Sequence, residues 1–150
     1  MADSHSGLNR KILLGGTARR PDDVIVLQNL GLRFAELTIE NPADFRLLLH
    51  KYRSLPSTDG FFYLCHGPRE GDPNDIHSLE TVYLPKLLQV IETMPELEMR
   101  LLTLHLWMDP RFVSAKALAY KIGFLEKVIE RAGGKGILVC LENLSESDVH

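Results

Sequence analysis

Short apolar runs alternate with longer amphipathic stretches along the chain, each bounded by glycine, proline or small polar residues. "KILLGG" reads as a first strand. "RPDDVIVLQNLG" reads as the helix after it, with Pro21 in the first turn, acids behind it and Gly31 as its stop. "LRFAELTIE" repeats the strand pattern, and "NPADFRLLLHKY" repeats the helix pattern with Asn41 as cap and Pro42 in the first turn. A third strand, "GFFYLCHGP", leads through the loop "REGDPNDI" to a helix from about Ser78 to Thr93. Pro85 should kink or divide that helix, because proline lacks an N–H and crowds the preceding turn. "MRLLTLHLWM" is the fourth strand. The next helix takes Ser114 as cap, Leu118, Ile122, Leu125, Ile129 and Ala132 as its apolar stripe, and Gly133 as stop. "GILVCL" is the fifth strand, apolar enough to read as covered on both faces.

Strict alternation of strand and helix argues for a parallel sheet with right-handed crossovers, since parallel neighbours cannot be joined by tight hairpins. An open doubly wound sheet and a closed barrel both satisfy it. Gly15, Gly16 and Thr17 lack the G-x-G-x-x-G spacing of a dinucleotide loop, which counts against the first. The 150 residues, 45% of them hydrophobic, suit one domain spanning 1–150. A net charge of -3 and a pI near 6.1 give no bulk reason to bind nucleic acid or an acidic membrane, and favour a small-molecule partner. Cys65 and Cys140 lie in strand-like runs and read as core thiols of a reduced interior. No run approaches the ~20 residues of a membrane helix, so a cytoplasmic protein is expected.

Polar residues at the strand ends change the picture most. Glu36, His66, His105 and Glu142 stand 30, 39 and 37 residues apart, the interval that one strand, one helix and two connections require. Period-two geometry puts His66 on the face of Leu64 and Phe62, His105 with Thr103 and Leu101, and Glu142 with Cys140 and Leu138. In a barrel those faces meet inside. Two imidazoles and a carboxylate there suit a divalent ion such as zinc or manganese, and the ion would offset the cost of burying the carboxylate. Each residue also has a structural reading: a strand-end histidine bonded to a carbonyl, or a glutamate capping a helix or meeting an arginine. Glu36 is a substrate-binding candidate with Glu40 as a competing mouth residue. His5, His50, His77 and His150 read as surface residues, and Trp107, Met108 and Asp109 as a rim, with Asp109 equally able to start a turn before Pro110. Arg19, Arg20, Arg69 and Arg111 follow strands and either attract a phosphate or solvate their loops.

The strand ends "CHGP", "LHLWMDP" and "CLEN", with "FAEL" in strand two, resemble the xylose isomerase-like barrels, the group that joins sugar isomerases and epimerases with AP endonuclease family 2. The likeness covers nearly the whole chain, and its strongest signature is Leu141, Glu142 and Asn143 after the two strand histidines. It implies an α/β fold, a parallel (β/α) barrel of the TIM type with about the first five of eight strand–helix units present, so that the single domain is the N-terminal part of a larger barrel. A full barrel takes ~250 residues. The isomerase and epimerase branch implies Glu142 as a metal ligand that also moves protons, with His66, His105 and Glu36 toward a sugar-like substrate. The endonuclease branch implies His66, His105 and Glu142 as ligands of one ion in a DNA phosphodiester hydrolase. The leading expectation is a metal-dependent sugar isomerase or epimerase. Its alternatives are that hydrolase, which the acidic balance disfavours, and a non-catalytic fragment or assembly module; homo-oligomerisation is an expected form of partnership.

Overall fold

The computed structural model of the chain describes residues 12–142. Five parallel strands lie side by side in sequence order: β1 (Gly15–Ala18), β2 (Phe34–Thr38), β3 (Phe62–His66), β4 (Leu101–His105) and β5 (Leu138–Glu142). Helices α1 (Pro21–Asn29), α2 (Pro42–Arg53), α3 (Ile76–Ser78), α4 (Leu84–Thr93) and α5 (Ala115–Gly133) fill the crossovers. This is the expected α/β alternation, and the unbroken order of neighbours is that of a barrel wall rather than of a sheet wound outward from its middle.

The period-two pattern sorts the strands into two faces. Ala35, Leu37, Cys65, Leu102 and Leu104, at most 1% exposed, point to the helices and make the core with Leu87, Val90, Ile91, Phe124 and Val128. Burying each large side chain there contributes roughly 1.5–3 kcal/mol. The other face carries Phe34, Glu36, Thr38, Leu64, His66, Thr103 and His105, all partly exposed. It is the inner, concave side.

Local signals explain the helix ends. Asn41 Oδ1 accepts from the Ala43 N–H at 3.0 Å and Ser114 Oγ from the Ala117 N–H at 3.2 Å, as their positions predict. Gly31 closes α1 with a φ of 75°, a conformation open to glycine at little cost. The helix around Pro85 is divided: α3 runs into a π-helical turn, Leu79–Tyr83, before α4 resumes. The Leu84 N–H reaches back to the Leu79 carbonyl, and this wider turn absorbs the N–H that Pro85 lacks.

Four expectations need correction. The buried stripe of α5 is Ala117, Lys121, Phe124, Val128 and Ala132, while Ile122 and Ile129 are 57% and 54% exposed. The true stripe includes a lysine, which a reading by hydropathy places outside. Among the described residues strand five is not covered on both faces, because β5 is the edge of the sheet with Leu138 70% and Leu141 51% exposed. Cys140 is accordingly exposed, whereas Cys65 is the core thiol it was expected to be. The first strand also begins later than "KILLGG" suggests, since Ile12, Leu13 and Leu14 precede it and are exposed.

Candidate metal centre

The C-terminal ends of β3, β4 and β5 bring three side chains together on the inner face. In register, Thr38, His66, Thr103 and Cys140 lie at one level, and His105 and Glu142 at the next pair of positions outward. All share the parity of the inner face, so every side chain in this group emerges on the same side.

His66 Nε2 lies 2.8 Å from His105 Nε2, and Glu142 Oε2 lies 2.6 Å from His105 Nε2 and 3.6 Å from His66 Nε2. The ligand atoms of the three residues fall within 4.8 Å of one another. Both imidazoles are largely shielded, with 15% of each side chain exposed, while the Glu142 side chain is 48% exposed toward the mouth. His66 Nδ1 sits 3.1 Å from the Gly67 carbonyl. A carbonyl only accepts, so Nδ1 carries the proton and the Nε2 lone pair faces His105 and Glu142.

Donors of this kind fit a divalent cation. Zinc takes neutral imidazole nitrogen and carboxylate oxygen at ~2.0–2.2 Å, which sets tetrahedral ligands roughly 3.4 Å apart. The His66 and Glu142 separation already matches, and the two shorter contacts need to open by less than ~1 Å. Three protein donors would leave one position of a tetrahedral ion for water or substrate, the donor count of catalytic rather than structural zinc sites.

The surroundings hold these ligands from behind. Gly67 follows His66, and its N–H donates to the Thr103 carbonyl at 2.9 Å while its own carbonyl fixes the His66 ring. A Cβ there would stand 3.1 Å from Leu104 Cδ2 and 3.3 Å from the Thr103 carbonyl, tight enough to favour glycine. On β4, the Tyr83 hydroxyl donates to the His105 carbonyl at 3.1 Å, and its ring stacks on Phe124 at 5.5 Å between centroids. Burial pushes the Tyr83 pKa up, so the hydroxyl stays protonated and remains a donor.

Two residues beyond His105, a buried ion pair grips one loop residue. Lys121 Nζ donates to the Trp107 carbonyl at 2.8 Å and pairs with Glu70 Oε2 at 2.9 Å, while the Trp107 N–H donates to the other Glu70 oxygen. Lys121 is fully buried and the Glu70 side chain 1% exposed. Burial pushes the Glu70 carboxyl up against the opposing pull of Lys121. Neither residue stands out in the sequence, because Glu70 lies in a polar loop and Lys121 looks like one of several surface lysines. The only available signal is that Lys121 falls on the Ala117–Phe124–Val128 stripe.

Other expected site residues are placed differently. Glu36 lies two residues inward from Thr38, where its Oε1 accepts from the Thr103 hydroxyl at 3.1 Å, outside the His–His–Glu cluster. Asp109 starts a turn: its carbonyl accepts from Phe112 and Val113, and its carboxylate binds Arg111, which holds it below the usual aspartate range. Trp107 and Met108 are half-buried, and His50 and His77 are exposed as expected. His5, Asn143 and His150 lie outside the described residues.

No protein-family model matches the chain, and no curated protein matches it. Solved structures do. One is described as the crystal structure of a D-tagatose 3-epimerase-like protein, with a TM-score of 0.67 and 15% identity over 89% of this chain and 54% of that one. Another is the crystal structure of D-psicose 3-epimerase in the presence of D-fructose, with a TM-score of 0.63 and 12% identity over 91% of this chain and 55% of that one. At such identities the likeness is one of fold, and the chain spans about half the length of the structures it matches. Among the described residues, no helix is long and apolar enough to cross a membrane.

Proposed function

We propose that this chain, which carries five parallel strands and the four intervening helical crossovers of the xylose isomerase-like barrel fold, is the N-terminal part of a metal-dependent sugar isomerase or epimerase. The convergence of His66, His105 and Glu142 at the ends of three successive strands carries the reading. The fold likeness to a D-tagatose 3-epimerase-like protein and a D-psicose 3-epimerase supports a ketose or similar sugar as substrate. The 54% and 55% shares of those chains support a larger barrel whose remaining units would cover the inner face. The two free thiols suit a reducing, cytoplasmic setting.

In this reading His66 and His105 hold a zinc or manganese ion through Nε2, and Glu142 holds it through a carboxylate oxygen. Such an ion, when bound, polarises a carbonyl or hydroxyl oxygen. His66 is kept in the required tautomer by Gly67, and His105 is aimed by Tyr83 and by the grip of Glu70 and Lys121 on Trp107. With both imidazole Nε2 atoms engaged by the ion, the second oxygen of Glu142, the most solvent-accessible of the three, would take the proton from a carbon next to the carbonyl and return it. Glu36 sits deeper on the same face and contacts substrate through the oxygen not engaged by Thr103.

The direct test is metal content by mass spectrometry on the purified chain and on a His66→Ala, His105→Ala, Glu142→Ala triple variant. The expected result is stoichiometric zinc or manganese in the first and none in the second, with both folded. Exchange of a ketose carbon-bound proton with deuterated water, lost in Glu142→Gln, then tests the reaction in a preparation containing the whole barrel. Cleavage of an abasic-site oligonucleotide without ketose exchange would transfer the same centre to phosphodiester hydrolysis.

A further inference from the structure

A cavity of about 560 Å³ opens beside the metal centre at the ends of β1, β2 and β3, lined by Thr17, Arg19, Thr38, Glu40, His66 and Arg69. Strand parity accounts for the lining. Thr17 is paired with Glu36, and Thr38 with His66, so all four lie on the inner face; Arg19 and Glu40 follow two residues further along the same columns. His66 belongs both to this cavity and to the His–His–Glu cluster, so the two are neighbouring parts of one mouth.

The donors here are not used up by the fold. Asp23 Oδ2 accepts the backbone N–H groups of Arg19 and Arg20, each at 2.9 Å, which fixes where Arg19 leaves the strand. The Arg19 guanidinium makes no hydrogen bond among the described residues, and the Asp23 carboxylate attracts it only through space. Arg69 is seated through its backbone N–H, which donates to Glu40 Oε2 at 3.3 Å, while its Nε stands 4.0 Å from Oε1, beyond hydrogen-bonding range. Two guanidiniums against one carboxylate leave the cavity one positive charge in excess, in a chain whose net charge is -3. Planar guanidinium forks and hydroxyl groups suit a tetrahedral oxyanion, and the lining holds no Phe, Tyr or Trp on which a nucleobase could stack.

We propose that this cavity is an anion subsite that takes the phosphate of a phosphorylated ketose whose carbonyl end lies at the metal centre. The substrate class rests on the epimerase or isomerase reading above, whereas the anion subsite does not. Arg19 and Arg69 bind the phosphate oxygens, Thr17 and Thr38 donate from the strand ends, and Glu40 keeps the Arg69 loop in place. A free ketose would bring no anion to either arginine, so the cavity discriminates in favour of the phosphorylated form.

The test compares binding of a ketopentose 5-phosphate with that of the same ketopentose lacking phosphate, by calorimetry on the metal-loaded chain. It is repeated with Arg19→Ala/Arg69→Ala, whose altered side chains are exposed and outside the core. The phosphorylated sugar should bind at least roughly tenfold more tightly, about the factor one charge-assisted hydrogen bond supplies, and the double variant should erase that advantage with metal content unchanged. Equal affinities, or an advantage that survives the double variant, would overturn the proposal. An advantage seen only with an abasic-site duplex would overturn it in favour of nucleic acid. Phosphorus NMR with inorganic phosphate on the metal-free chain separates the two readings. Line broadening lost in the double variant supports the subsite even if no metal or sugar chemistry is found, and its absence counts against the subsite even if metal is bound.

Discussion

Asp23 ties the end of β1 to the start of α1, and its carboxylate accepts two backbone N–H groups that would otherwise be orphans of the helix terminus. Those bonds, with the nearby arginines, hold its pKa below the usual aspartate value. A depressed carboxyl contributes stability that is fully present above the unfolded-state pKa and is lost as pH falls through the folded-state value. Asp23→Asn should therefore cost about 1 kcal/mol or less near neutrality, and thermal unfolding scans in acid should show a flatter decline than in the parent. The buried Glu70 and Lys121 pair has larger stakes. Lys121→Met leaves a carboxylate buried without its cation, a change that costs about 3–5 kcal/mol, whereas Lys121→Met with Glu70→Leu should recover most of it. Urea unfolding of the three proteins decides the matter, and a near-neutral single variant would mean that the pair holds nothing in place. The convergence of His66, His105 and Glu142 was legible from type and spacing, because these residues are unusual at the ends of apolar runs. Glu70 and Lys121 were not, because a charge becomes buried only through partners far along the chain, here 51 residues apart.

Turn and cap chemistry made most boundaries readable at the level of elements: Asn41, Ser114, Pro21 and Gly31 act where their backbone preferences place them. The stripe of α5 was misread by one position, since Ile122 and Ile129 outrank Lys121 in hydropathy yet face outward. Pro85 shows what sequence can and cannot supply. It announces a break, but not that the break is a π-helical turn that brings the Tyr83 hydroxyl to the His105 carbonyl. Tyr83→Phe removes that bond and should cost about 1 kcal/mol, within the ordinary range for a single hydrogen bond. It should also weaken metal binding by the chain if the turn positions His105; unchanged affinity in a zinc competition titration would reduce the contact to packing.

Across the molecule, alternation of strand and helix was enough to give a parallel sheet, and the absence of a glycine-rich fingerprint turned it toward a barrel wall. What alternation could not reveal is which apolar residues are left open. Leu138 and Leu141 at the β5 edge, on opposite faces of the sheet, and Ile122 and Ile129 on α5 all expose apolar surface. Contiguous patches and open strand edges favour association. Charged replacements, Leu138→Lys with Ile129→Glu, should shift the chain toward monomer in sedimentation velocity without lowering its unfolding midpoint. An unchanged distribution would show that these residues drive no self-association.

The bond from Thr103 to Glu36 has one more meaning. These residues sit on strands separated by β3, whose axes in a flat sheet would lie ~9–10 Å apart, yet their side chains meet at 3.1 Å. It is a chord drawn across an arc, and a chord that short records curvature already present within β2, β3 and β4. Thr103→Val would cut it, leaving the backbone ladder alone to keep the wall bent.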